Sequence, residues 1–314
     1  MLPHAGADTC LFRQVCETGE ALKDLAEVVG TKVVPSRVGI LFDAQSQWST
    51  EIPTLPTTKL DHWHDVRDWY RAFLDAGLRA DVVPLAHEWE QHNLLVLPTL
   101  FMLSDSAVRR LERYVRGGGA IVVGYATGIV NDAFQVGLGG YPGAGKGLLR
   151  TMLGVSGEEF NILGPDETVE LSDGSISWLW QTCLTRIADD AEMLATYTGA
   201  GAREWELSGM PAIVAHQYGS GRTWYIGCDV RREDITRFIC DQLAPQIGLE
   251  LGDPRVVSID RASDTHVFHC VFNRSGTDVE LCPTGNPVLL ARGSHGHDTV
   301  TLHANGALIT QSRR

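Results

Sequence analysis

The chain has 314 residues, 44% of them hydrophobic and 21% charged, which is room for about two ordinary globular domains. A formal net charge of -13 argues against nucleic-acid binding, because phosphate neutralisation needs a basic face. No run reaches the roughly 18 apolar residues that would cross a bilayer, and the start Met1-Leu2-Pro3-His4-Ala5-Gly6 has no basic region followed by an apolar stretch.

Residues from about Asp8 to Val29 read as one amphipathic helix, capped by Asp8 or Thr9, with Leu11, Val15, Leu22, Leu25 and Val29 at helical spacing and Gly30 as its stop. Alternation of strand and helix follows. Val38 to Asp43 is a short apolar run typical of a buried parallel strand. Leu60 to Ala76 is a helix with Trp63, Val66, Tyr70, Phe73 and Leu74 on one face. Ala80 to Leu85 and Leu94 to Leu97 are further strands. Ser104 to Arg116 is a helix capped by Ser104 or Asp105, and Ala120 to Gly124 is a fourth strand. Apolar strands separated by helices imply a parallel sheet covered on both faces.

The next segment is more irregular. Ala212 to His216 and Thr223 to Gly227 flank Gly219-Ser220-Gly221 as a hairpin, and Arg232 to about Ala244 is a closing helix. After Gly252-Asp253-Pro254, short β-like runs (Thr265 to Phe272, Val279 to Cys282, Val288 to Leu290, Thr299 to His303, Ala307 to Thr310) predict a small antiparallel β-domain. The seven cysteines are scattered and form no C-x-x-C pair, which suits reduced thiols of a cytoplasmic protein.

Gly140-Tyr141-Pro142-Gly143-Ala144-Gly145-Lys146-Gly147 matches G-x-x-x-x-G-K of a phosphate loop. Gly147 stands where the magnesium-binding hydroxyl is needed, and no strand leads directly in, so the segment reads as a glycine-rich surface turn. Gly124-Tyr125-Ala126-Thr127-Gly128 has the spacing of a nucleophile elbow after a strand, yet Ala126 holds the nucleophile's place. His62 and His64 are two apart on a helix and do not share a face. His295-x-His297-Asp298 has strand spacing for zinc without an assured third ligand, and reads as a solvated loop. Trp63 reads as packing, Trp178 and Trp180 as alternate residues of one strand, and Trp48 as an aromatic in a polar loop, free to meet a ligand or neighbour. No paired carboxylates on a barrel strand suggest glycoside hydrolysis.

Several segments in order resemble glycoside hydrolase family 42, the β-galactosidase type. They are Met1 to Gly6 followed by Phe12-Arg13-x-Val15, Val38 to Asp43 with Trp48, Thr127 to Asp132 with Leu138 to Gly143, and Pro211-Ala212-Ile213-x-x-His216-x-Tyr218-Gly219-x-Gly221. The loop Ala44-Gln45-Ser46-Gln47-Trp48 is poorer in Trp and acid than in relatives, and Ala144 to Gly147 is unusual. The resemblance implies the last helix and linker of a catalytic barrel at 1–34. A class I glutamine-amidotransferase-like (flavodoxin-like) parallel-sheet trimerisation domain would fill 35–250, and an antiparallel β-sandwich 251–314. It implies a homotrimer partnered with a barrel whose catalytic glutamates lie upstream, and neither nucleic acid nor membrane as partner. It carries over no catalytic, cofactor or metal residue. Trp48 and Tyr141 are the candidate subunit-interface residues, and the chain alone is expected to be non-catalytic. The alternatives are a free-standing amidotransferase-like enzyme, which needs a reactive Cys or Ser after a central strand, and a sugar-binding module, which needs an exposed aromatic platform.

Overall fold

The computed structural model describes residue 4, residues 6–201 and residues 207–314. It divides into two compact units. One comprises residues 36–76 and 80–251, the other residues 1–35, 77–79 and 252–314. In chain order the elements of the second unit's start are helix α1 (Cys10–Lys23) and strand β1 (Lys32–Val33).

The larger unit opens with β2 (Val38–Phe42), α2 (Ala44–Thr50), α3 (His62–Asp75), β3 (Asp81–Pro84), β4 (Leu94–Leu97), α4 (Asp105–Arg116) and β5 (Ala120–Val123). It continues with α5 (Leu148–Leu153), β6 (Val155–Ile162), β7 (Val169–Leu171), β8 (Ile176–Ser177), β9 (Trp180–Ile187), β10 (Glu192–Gly201), β11 (Pro211–Tyr218), β12 (Gly221–Ile226), α6 (Arg232–Phe238) and α7 (Ala244–Ile247). A nine-stranded sheet runs β3-β2-β4-β5-β12-β11-β10-β7-β8. Its first five strands are parallel and the rest antiparallel, while β6 and β9 pair separately.

All four residues of β4 and of β5 are buried, which is why these runs carry no polar side chain. Side chains alternate across the sheet. Leu41, Leu95, Leu97, Ile121, Val123 and Tyr225 join Val108, Leu111 and Val115 of α4 and Leu149, Met152 and Leu153 of α5 in one core. The intervening residues Ile40, Val96, Val122 and Trp224, also fully or nearly fully buried, face the other way. Helices α3 and α4 start where their caps dictate. Asp61 accepts from the His64 N–H at 3.0 Å, and Ser104 from the Ala107 N–H at 3.2 Å. The closing helix runs further than the sequence suggests: α6 passes through a π-turn (Ile239–Leu243) into α7, whose first turn holds Pro245, and stops at Gly248 with φ +63°.

The buried stripe of α3 is His62, Val66, Trp69, Ala72 and Phe73. Trp63, expected in the core, is instead exposed and only edges onto Phe42 at 5.4 Å. The helix is rotated because His62 takes the buried position at the strand ends. Trp178 lies outside the strands and is partly exposed, so it does not alternate with buried Trp180 on one strand.

The smaller unit adds β13 (Val256–Ala262), β14 (His266–Asn273), β15 (Val279–Leu281), β16 (Asn286–His295) and β17 (Val300–Arg313). These and β1 form one six-stranded antiparallel sheet, not two stacked ones, because the long β17 pairs with β14, β15 and β16. β13 was not legible in the sequence, and the two short runs at Thr299 to His303 and Ala307 to Thr310 are one strand. The expected 8–29 helix is also broken. α1 ends at Lys23, and a 3₁₀ turn (Ala26–Val28) lays Leu25 and Val28 against Phe268, Cys270 and Ile309. Leu11, Val15 and Leu22 stand exposed.

The β11–β12 hairpin closes through a two-residue turn, with Tyr218 paired to Gly221. A Cβ on Gly221 would lie 2.1 Å from the Val115 carbonyl oxygen and 2.2 Å from that of Gly119. Both obstacles are backbone and cannot swing away. Gly221→Ala should therefore destabilise the protein by about 2 kcal/mol or more, read as a lower denaturation midpoint, whereas Gly174→Ala, with open space around its Cβ but φ +83°, should cost only about 1 kcal/mol.

Candidate functional site

In open sheets of this kind the loops beyond the carboxyl ends of the parallel strands carry function. The sheet order β3-β2-β4-β5-β12 puts the ends of β2, β4, β5 and β12 along one edge. Asp43 ends β2 and caps α2, accepting from the Ser46 N–H at 2.8 Å. The inner stripe of α2 is Ser46, Ser49 and Thr50, small enough to lie close and all buried. Ser46 Oγ donates to the Met102 carbonyl at 2.9 Å and accepts from the Met102 N–H at 3.1 Å. The outer face displays Trp48, which is 66% exposed. Trp48 thus sits on a short, firmly seated helix and not in a loop, because Asp43 supplies a cap and three hydroxyl side chains find backbone partners.

Met102 also bridges Val130, which bridges Val136. This chain of contacts brings the seat of Trp48 and the 131–138 loop onto a common support. The loop exposes Phe134, Val136 and Leu138, the last at 94%. Tyr141, the second interface candidate, is half-buried. Its backbone pairs with Gly157, and its ring meets Phe160 at 5.4 Å, which stacks on Trp180 at 4.1 Å. Tyr141 is in part a core wedge.

The Gly140–Gly147 segment is not a simple surface turn. Pro142, Gly143 and Ala144 are buried, and Arg150 fastens the loop by donating to the carbonyls of Gly140, Pro142 and Leu138. A helix does follow it, α5, but only an isolated bridge at Tyr141 precedes it where a phosphate loop needs a strand. Ala126, directly after β5, has φ +52° and is buried. That is elbow geometry around a methyl group, which cannot attack a carbonyl. His297 and Asp298 are almost fully exposed. Among the described residues no three His, Cys, Asp or Glu side chains converge as a metal-holding group.

Three titratable groups organise this edge, Asp229 and His62 buried and Asp65 half-buried, and of these only His62, beside His64, stands out in the sequence. Asp229, after β12, accepts from the backbone N–H groups of Trp178 (3.1 Å), Leu179 (2.9 Å) and Trp180 (2.6 Å) and from Ser177 Oγ at 3.2 Å. Burial pushes its carboxyl up, against the pull of those donors. His62 accepts the Asp43 N–H on Nε2 at 3.1 Å, so its proton is on Nδ1 and is donated to the Pro98 carbonyl at 2.6 Å. Burial lowers its pKa to about 4 and keeps it neutral. Asp65 accepts hydrogen bonds from the hydroxyls of Thr99 and Tyr125, the latter at 2.8 Å. Burial raises its pKa to about 7. Thr99 is held at φ +47° to reach it. Asp65 forms the base of a cleft of about 420 Å³ beyond the ends of β4, β5 and β12, lined also by Asp68, Trp178 and Arg231. A pointer to it was present in the sequence: Pro98-Thr99, Gly124-Tyr125 and Cys228-Asp229 each follow a central strand.

These shifts oppose each other in pH. His62 is depressed when folded, so its contribution is complete above about pH 6.5 and falls as pH drops toward 4, where the unfolded chain binds the proton. Asp65 is raised when folded, so its contribution is complete below its ordinary value and is lost as pH rises through about 7. Between about pH 4 and 6.5 the two slopes oppose each other, and Asp229, also raised by burial, adds to that of Asp65. Asp65→Asn keeps the shape of the protonated acid and removes one slope. Its denaturation midpoint should rise more, or fall less, with pH over that window than that of the parent protein; parallel profiles would contradict the assignment.

Residues 36–250 match the family model described as the β-galactosidase trimerisation domain. The chain is 36% identical over 321 residues to β-galactosidase BbgII of Bifidobacterium bifidum, covering 98% of this chain and 45% of that protein. It is 32% identical over 293 residues to a β-galactosidase of an Arthrobacter species, covering 92% and 40%. Among solved structures it superposes on a cold-adapted β-galactosidase from Rahnella sp. R3 with a TM-score of 0.83 and 25% identity, over 100% of this chain and 46% of that one. Gan42B, a GH42 β-galactosidase from G. stearothermophilus, gives 0.85 at 22% identity, over 100% and 45%, a likeness of fold. The chain spans about half the length of the curated relatives it matches. It belongs to the β-galactosidases of glycoside hydrolase family 42, matching the carboxy-terminal part that carries their trimerisation domain.

Proposed function

We propose that this chain is the assembly and accessory part of a cytoplasmic β-galactosidase acting on terminal β-D-galactosides, and that its 35–250 domain holds three copies together. The observation that carries the reading is that Trp48, Phe134, Val136 and Leu138 are exposed apolar residues on two elements tied together through Met102 and Val130 within the matched domain. An exposed apolar cluster on a rigid base is what an interface needs before it is covered. A closed ring of three requires a heterologous contact, in which different faces of each copy meet, and should bury at least about 1,000 Å².

The flavodoxin-like strand order and the elbow at Ala126 support the amidotransferase-like kinship of the domain. The same alanine disfavours a free-standing amidotransferase-like enzyme. The remaining residues are proposed as the last barrel helix with its linker (1–34) and a C-terminal β-domain (251–314). Among the described residues there is no (β/α)₈ barrel to hold the two carboxylates of a retaining glycosidase. The isolated chain should therefore leave chromogenic β-galactosides intact; turnover that disappears when one of its own Asp or Glu residues is neutralised would overturn this.

Light scattering on a sizing column tests assembly. The expected species is a trimer, with Trp48→Ala or Leu138→Glu weakening association by about 30-fold or more, as loss of a central anchor does. The exposed α1 stripe offers a competing contact. A clean monomer at high concentration, or a dimer that ignores Trp48→Ala and is abolished by Leu22→Glu, would refute the assembly role.

A further inference from the structure

The cleft above Asp65 has no part in the assembly reading. It is lined by α3, by the loops after β4, β5 and β12, and by Trp178, whereas the proposed interface rests on α2 and the 131–138 loop. Its volume of about 420 Å³ lies at the low end of small-molecule sites. That is ample room for one small ring.

The lining selects a chemistry. Trp178 is 39% exposed, and its backbone N–H is bound to Asp229, so the indole sits on a fixed stem. An exposed indole offers an apolar plate for C–H groups. Around it stand polar groups of both signs whose charges are largely matched among themselves. Asp68 lies 3.3 Å from His64 and 4.0 Å from Arg71. Arg232 lies 3.4 Å from Asp75 and 3.8 Å from Glu233. A phosphate would find no cluster of uncommitted cations here. A divalent cation would find no converging carboxylates among the described residues. What remains well served is a neutral, polyhydroxylated ring with one apolar face and several hydroxyls.

The geometry points to this cleft as a non-catalytic binding site for a neutral monosaccharide, its ring laid on Trp178 and its hydroxyls taken by Asp68, His64 and Arg231. Binding without chemistry fits the walls. Asp65 is occupied by two hydroxyl donors, and the elbow after β5 offers only a methyl group. The inference is independent of trimer formation, because no residue it uses is in the proposed interface.

Calorimetry and saturation-transfer NMR on the full chain, with galactose and glucose as probes and inorganic phosphate as the charged control, test it. A saturable Kd of about 1 mM is expected for at least one sugar, as befits so few contact atoms. Trp178→Ala and Asp68→Ala should each weaken it about tenfold, and Trp178→Phe should restore it to within about threefold. Circular dichroism keeps a folding defect apart from lost binding, since Asp229 uses the Trp178 backbone and not its ring. Light scattering on the same variants should show unchanged assembly, which separates failure here from failure of the assembly reading. No saturable sugar signal from folded protein, phosphate bound more tightly than either sugar, or sugar binding indifferent to both alanine variants would each overturn the proposal.

Discussion

The carboxyl edge of the parallel sheet depends on one buried carboxylate. Asp229 gathers three consecutive backbone N–H groups and a serine hydroxyl from residues 177–180, a segment with no strand partner at Trp178 and Leu179. Unpaired buried amides cost about 1–3 kcal/mol each, so a chain crossing this edge needs such an acceptor. With the crossing fixed, Trp180 drops into the core, stacks on Phe160, and through it supports Tyr141. The neighbouring Trp178 is left at the rim of the cleft. One side chain therefore sets both the packing beneath the 128–143 loop and the shape of the pocket.

His62 and Asp65 extend the same logic to the ends of β2, β4 and β5. Each is a titratable group kept neutral, or partly so, by burial and given specific partners: His62 ties Asp43 to Pro98, and Asp65 ties Thr99 to Tyr125. Polar ties of this kind fix the positions of loops that apolar packing alone leaves free. The edge is consequently stiff enough to present Trp48 and the 131–138 loop as a surface, where exposed apolar residues on a mobile segment would lose much of their binding energy to ordering.

Much of this fold was legible because both-face burial leaves a plain trace. Val38 to Phe42, Leu94 to Leu97 and Ala120 to Val123 are apolar runs typical of a covered parallel strand, and the helix caps Asp61 and Ser104 stand where their helices begin. The antiparallel stretch from Val155 to Gly201 was not legible. Its strands mix polar and apolar residues without strict alternation, since β6 and β10 carry register shifts that break the two-residue period. Helical spacing cannot say whether Trp63 or its histidine neighbour faces inward, and the strand-end partners of His62 decide it. The polar surroundings of Trp48 in the sequence suit an exposed aromatic, which it is, though a seated helix and not a loop presents it. Spacing alone does not assemble the cleft, for its residues are drawn from five separate segments that only the topology brings together.

In the proposed assembly, copies of this chain meet on the surface formed by α2 and the 131–138 loop. Hydrogen exchange followed as a function of protein concentration reads that surface directly. Amides in residues 44–50 and 131–138 should gain protection together as the oligomer forms, while those of α4 and of the outer strand β3 stay unchanged. Protection that appears along α1 instead, with both of those segments exchanging at the same rate at every concentration, would contradict the account.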